Sequence, residues 1–304
     1  MGKIGLIDVD SHNFPNLALM KISAFHKAHG DEVEWWWGWG QYDRVYMSKV
    51  FDDTYSPDHP EPVNAKEIIK GGTGYGLDNK LPDEIEHMQP DYSLYPELTK
   101  DHAFGFLTRG CLNNCPFCIV CAKEGRSSYK VADLSEWWSG QKNIVLMDPN
   151  LLNCREHMDL LHQLADSKAW VDVNQGFDAK LLNLNNIKAI KKIRIKNIHF
   201  AWDLMKNEER VIRGLNLWKA HGKKNKHGSW GTVYVLTNYN TTMEENLYRI
   251  VTLDQMGFNP YVMVYDKPHA PVEIRRLQRW CNNKFVFNSC NFEEYEGGRC
   301  STKY

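Results

Sequence analysis

The chain has no apolar run approaching the ~20 residues that a membrane-spanning helix needs, and its first residues show no basic segment followed by an apolar stretch. Membrane insertion and export are therefore not expected, and the expected location is cytoplasmic. Low-complexity tracts and internal sequence repeats are missing too. Charge of neither sign dominates: 37 Lys and Arg stand against 38 Asp and Glu, a formal net charge of −1, which argues against strong global steering onto nucleic acid. Cysteine is sparse, eight in 304 residues. That does not fit a disulfide framework and points to a reducing compartment, where thiols bind metal or stay unbridged.

What is present is the composition of a globular protein, 42% hydrophobic and 25% charged, long enough for one large or two ordinary domains. The charge is unevenly spread. Residues 52 to 101 hold twelve acidic against four basic side chains, and residues 188 to 226 hold twelve basic against three acidic. The basic segment reads as solvated helix faces or as the docking surface of a phosphate-bearing partner such as a nucleic acid.

Periodicity gives the architecture. Strands are expected at Lys3 to Val9, Glu32 to Trp37, Arg44 to Phe51 and Glu67 to Gly71, with a helix from Leu17 to His29 stopped by Gly30. Val33, Trp35, Trp37 and Trp39 share one face at period two and are expected to form a buried aromatic wall. These hundred residues read as a small Rossmann-like α/β domain, residues 1–100. From 101 to 304 strand and helix alternate: strands at 102–107, 143–147, 170–174, 197–202, 232–237 and 260–265, helices near 133–139, 155–167, 184–192, 207–221, 243–256 and 271–281. Repeated right-handed strand-helix units give a parallel sheet covered by helices.

Directly after the first of those strands comes Cys111-Leu-Asn-Asn-Cys115-Pro-Phe-Cys118. Three close thiolates can hold three irons of a four-iron cluster and leave the fourth iron open, whereas clusters that only carry electrons are normally held by four cysteines. Cys121 brings a fourth thiol within eleven residues, so a closed zinc or electron-transfer site is the competing reading. The strand, the three-cysteine spacing and the aromatic Phe117 before the last cysteine resemble the radical S-adenosylmethionine superfamily. The resemblance covers about two thirds of the chain. It implies a partial (β/α)6 barrel, a 4Fe-4S cluster on Cys111, Cys115 and Cys118, and S-adenosylmethionine chelated to the open iron with its adenine near Phe117. It further implies a reduced flavodoxin- or ferredoxin-type electron donor, and a 5'-deoxyadenosyl radical that abstracts hydrogen from a substrate the sequence does not identify.

Ligands of parallel α/β sheets sit at the carboxyl ends of strands, which nominates Asp148, Asn174, Gln175 and Asp203 as cofactor-binding residues. Asp148 stands where the superfamily often has Gly-Gly-Glu; it could accept from the methionine amine or start a helix before Pro149. In the first domain, Asp10-Ser-His12-Asn-Phe-Pro15, Ser48-Lys-Val50 and Gly71-Gly-Thr-Gly-Tyr-Gly76 resemble the elements of a cobalamin-binding domain, with Pro15 in place of a glycine. The favoured reading is a cobalamin-type fold without the cofactor; a cobalamin-dependent methyltransferase is the alternative. Cys281, Cys290 and Cys300 could carry a second cluster but match no tight metal spacing, and Cys154 reads as a helix-start or core residue.

Overall fold

Alternation of apolar and small residues in Lys3–Asp8 makes β1, and the helix that follows, α1 (Leu17–Ala28), starts where the Asn16 side chain accepts from the Leu19 N–H at 3.2 Å. It ends at Ala28 with His29 as its cap, and Gly30 then takes φ +82°, a conformation glycine adopts at least cost. The computed structural model describes residues 1–296 and the backbone of 299–300, and the chain divides into two compact units, Met1–Pro149 and Asn150–Tyr304.

In the first unit, β2 (Glu32–Trp35), β3 (Tyr42–Ser48) and β4 (Ala65–Gly71) join β1 in a fully parallel sheet of order β2-β1-β3-β4. One face packs Ile4, Leu6 and Tyr46 on Leu19 and Ile22 of α1; the other buries Ile7, Tyr42, Val45 and Met47. The expected aromatic wall does not form. Trp35, Trp37 and Trp39 are 39, 55 and 74% exposed, because β2 is an edge strand that stops at Trp35 and the chain then leaves the sheet. Only Val33 packs partly against the core.

Short helices α2 (Asp83–Glu86) and α3 (Pro96–Thr99) lead to β5 (His102–Gly105), which pairs in parallel with β8 (Asn143–Leu146). Between them lie β6 (Thr108–Arg109), α4 (Val120–Glu124) and β7 (Tyr129–Lys130), with β6 and β7 antiparallel. The helix expected at 133–139 is only a 3-10 turn, Leu134–Glu136, closed by a capping box between Asp133 and Glu136 and left at Gly140 with φ +95°.

The second unit runs α5 (His157–Asp166), β9 (Trp170–Val173), α6 (Leu184–Ile190), β10 (His199–Ala201), α7 (Glu208–His221), β11 (Thr232–Thr237), α8 (Met243–Gln255), β12 (Asn259–Val264) and α9 (Val272–Asn282). A short α10 (Lys284–Phe287) and the hairpin of β13 (Tyr295–Glu296) with β14 (Arg299–Cys300) follow. Strands β10, β11 and β12 form a parallel sheet in that order. Phe200, Trp202, Val233, Val235 and Val262 make its buried face, where Phe200 packs edge-on against Trp218 of α7 and against Phe258. The molecule is thus a mixed α/β protein built on parallel sheets. No helix among the described residues is long and apolar enough to cross a membrane.

Candidate functional site

The cysteine segment is built from its base upward. At the end of β5 the chain turns through Leu107 and Thr108, and the buried Asp148 carboxylate holds that turn: it accepts the Leu107 N–H at 2.7 Å, the Thr108 N–H at 2.9 Å and the Thr108 hydroxyl at 2.5 Å. Burial outweighs these three donors and pushes its pKa up to about 7. The carboxylate is therefore spent on the backbone that launches the loop, and it is not a helix cap. Next, Gly110 adopts φ +76°, and a Cβ there would lie 1.9 Å from the Ser127 carbonyl oxygen, so no other residue fits. Glu124 of α4 closes the base by accepting from the Gly110 N–H at 2.9 Å and pairing with Arg109 at 2.8 Å.

On this frame Cys111 and Cys115 are half-buried, Cys118 is exposed and Phe117 is half-buried. The Cys118 N–H donates to the Cys115 carbonyl at 3.0 Å, and the Asn113 N–H lies 3.5 Å from the Cys111 sulfur, the kind of amide contact that stabilises a thiolate. Cys121 behaves differently: its thiol donates to the Cys111 carbonyl at 3.1 Å and so closes α4 onto the loop. The donor set of Cys111, Cys115 and Cys118 fits the soft thiolate chemistry of an iron-sulfur cluster. Among the described residues, no three or more His, Cys, Asp or Glu side chains are gathered in a metal-holding arrangement.

The other cysteines do other things. Cys154 is buried, donates to Glu156 at 3.1 Å and accepts the His157 N–H at the start of α5. Cys281 is buried, and desolvation pushes its thiol up to about 12, which disfavours the thiolate a metal needs. Cys290 is disulfide-bonded, so the expectation of unbridged thiols fails there and its sulfur is not available to a cluster; the Cys300 side chain lies outside the described residues.

At the carboxyl ends of the strands in the second unit a polar site assembles. Asn174 is half-buried and Gln175 exposed in the turn after β9, which Gly176 makes possible with φ +79° against the His199 carbonyl. Asp178, in the same turn, pairs with Lys180 at 3.4 Å and accepts from Asn150 at 3.2 Å. Asp203 follows β10; burial pushes its carboxyl up to about 6 against the pull of Arg249 and Lys180. Arg249, fully buried on α8, was not legible from its position in the sequence. Its guanidinium donates to the carbonyls of Trp202, Asp203 and Leu236 and to Asn246 Oδ1, at 2.6 to 3.0 Å, so it ties together the ends of β10 and β11.

The half-exposed face of the β10-β11-β12 sheet carries His199, Tyr234, Tyr261 and Met263. The His199 ring lies 5.4 Å from that of Tyr234, which in turn meets Tyr261 at 5.9 Å. His199 Nε2 accepts from the Asn197 amide at 3.0 Å, which leaves the proton of the neutral ring on Nδ1, 3.9 Å from Asp172. That Nδ1 is buried and has no hydrogen-bond partner among the described residues. The sequence signal for His199 was a polar residue at alternate positions of a strand otherwise apolar.

The glycines of the first unit serve the chain itself. A Cβ on Gly72 would meet the Lys49 carbonyl at 2.3 Å and one on Gly74 the Phe51 carbonyl at 2.2 Å, while Asp10 accepts from the N–H groups of Val50 and Phe51. His12 is exposed with φ 48°. Comparison with known proteins adds no assignment: no protein-family model and no curated protein matches the chain.

Proposed function

We propose that the chain is a radical S-adenosylmethionine enzyme. The observation that carries this reading is the cysteine segment: a strand end pinned by Asp148, a turn only Gly110 can make, and the Cys111, Cys115 and Cys118 spacing on that frame, with the Cys121 thiol donating to the Cys111 carbonyl. Cys111, Cys115 and Cys118 would hold the 4Fe-4S cluster, which when bound supplies the electron that cleaves S-adenosylmethionine. The chain's own groups do the rest. As the resemblance implies, Phe117 would lie near the adenine, and Asn174, Gln175 and Asp203 would be cofactor-binding residues. Exclusion of water from the reacting centre would protect a reactive intermediate. A flavodoxin- or ferredoxin-type protein would deliver the electron.

The alternative with cobalamin is disfavoured, because Gly72 and Gly74 admit the chain's own residues 49 to 51 rather than the tail of a corrin. The test is anaerobic reconstitution with iron and sulfide. About four irons per chain should bind, and dithionite should then convert S-adenosylmethionine to 5'-deoxyadenosine and methionine. Cys115→Ala should abolish both, while Cys121→Ser should keep iron and turnover. Equal loss at Cys121, or zinc in place of iron, would sink the proposal in favour of a closed four-thiol site.

A further inference from the structure

On the α1 side of its parallel sheet, the first unit encloses a cavity of about 900 Å³, near the upper end of the ~300–1,000 Å³ typical of small-molecule sites. Its lining comes from α1, the carboxyl ends of β3 and β4, the loop from Gly72 to Pro82 that follows β4, the short helix α2, and the segments on either side of the cysteine loop. Phe25, Ile69 and Leu81 line one wall, and Phe104 and Phe106 line the other.

The charges around it are not balanced alike. Lys21, Arg44, Lys70, Arg109 and Lys130 line the cavity, and each has a carboxylate oxygen within 4 Å. Lys80 and Lys123 line it too without an ion pair among the described residues; Lys80 is exposed, whereas Lys123 is half-buried on α4 and its ammonium donates to the Thr73 hydroxyl. Burial and the nearby Arg109 cation hold the Lys123 pKa below the usual lysine range against the opposing pull of Glu124. A half-buried ammonium set beside a second cation carries an electrostatic cost, and an anion beside it would reduce that cost.

We infer that this cavity binds a small organic anion, a phosphate or carboxylate on an aromatic or aliphatic body. Lys123 is the seat of the anion, and Ile69, Leu81 and Phe106 form the wall against which the body packs. The inference does not depend on the reaction proposed above. It can be tested on the intact chain by fluorescence or calorimetric titration with 1-naphthyl phosphate, 1-naphthoate, 1-naphthol and inorganic phosphate. The first two probes separate phosphate from carboxylate. At least one naphthyl anion should bind saturably at one site, and 1-naphthol and inorganic phosphate at least tenfold more weakly. Lys123→Met should weaken the anion tenfold or more and Lys123→Arg should retain it. Ala132→Trp, which fills the cavity from its wall, should abolish binding and serves as the test if Lys123→Met does not fold. Absence of saturable binding by either anion, equal binding by the neutral or inorganic probe, or unchanged affinity in folded Lys123→Met or Ala132→Trp overturns the inference.

Discussion

Asp148 illustrates how much of a site rests on a residue that touches none of its chemistry. Its oxygens accept from two N–H groups and a hydroxyl in a buried setting. In Asp148→Asn the amide nitrogen would replace one acceptor and confront a donor, at a cost of roughly 1–3 kcal/mol for the group left unsatisfied. The pH dependence has a definite sign. The carboxyl is raised from 3.8 to about 7 in the folded chain, so between these values the folded state binds more protons than the unfolded one and stability falls as pH rises. Asparagine has no such contribution. The stability advantage of the parent protein over Asp148→Asn should therefore shrink from pH 4.5 to 7.5, read as urea midpoints of the metal-free chains; a constant or growing advantage would contradict the burial of a protonated carboxyl. Gly110→Ala poses a harder problem, since a Cβ would meet the Ser127 carbonyl at 1.9 Å with φ at +76°. A loss of roughly 1–3 kcal/mol is expected from backbone strain alone, together with loss of reconstituted iron; normal iron binding by a folded Gly110→Ala protein would show that the loop does not need this turn.

At the scale of elements, Arg249 joins the carboxyl ends of β10 and β11 to α8. Arg249→Met would leave three strand carbonyls and Asn246 Oδ1 without their donor. A destabilisation of roughly 2–5 kcal/mol is expected. Arg249→Lys should fall between the two, because an ammonium keeps the charge but cannot span all four acceptors with the same fork. Denaturant unfolding of the three proteins checks the order, and a lysine variant as stable as the parent would mean that charge alone is required. This residue also marks what the sequence could and could not show. Strands β8 to β12 and helices α5 to α9 were legible because each is a run of period-two or period-3.6 apolar positions bounded by caps and glycines, as at Thr242 before α8. The tryptophans of residues 35 to 39 misled because period two says which side chains share a face and not whether anything covers that face; β2 lies at an edge. Arg249 acts through carbonyls distant in the chain, and spacing carries no signal for such contacts. Asp148 was found by its place after a strand, but its partners, Leu107 and Thr108, are some forty positions away, so its task was not legible.

Over the whole molecule the charges nearly cancel, and the basic stretch from Lys188 to Lys226 is where a polyanion could still be held. Part of that stretch is already committed. Lys223 donates to the carbonyls of Lys191 and Ile193, Arg194 donates to Lys168, and Lys196 and Lys224 lie over the rings of Trp170 and Trp230. On α6, α7 and the segments joining them, Lys188, Lys191, Lys192, Lys206, Arg210 and Arg213 are exposed and have no such ties among the described residues, and Lys226, exposed too, lies apart beyond α7. Only some of these six can meet one strand of phosphates at once, since they are spread over α6, α7 and the segments beside them. Each phosphate neutralised on a single strand contributes about 0.7 to the slope of log affinity against log salt. Binding to a mixed-sequence RNA should therefore be weak at physiological ionic strength, with a slope no steeper than about −4 if all six engage. Replacing Lys188, Lys191 and Lys192 together by glutamine should flatten it by about half. A titration series from low to moderate salt decides the matter. A slope of that size, reduced in the triple variant, makes this surface a docking site for a phosphate-bearing partner; binding that is absent or indifferent to salt leaves it as the solvated faces of helices.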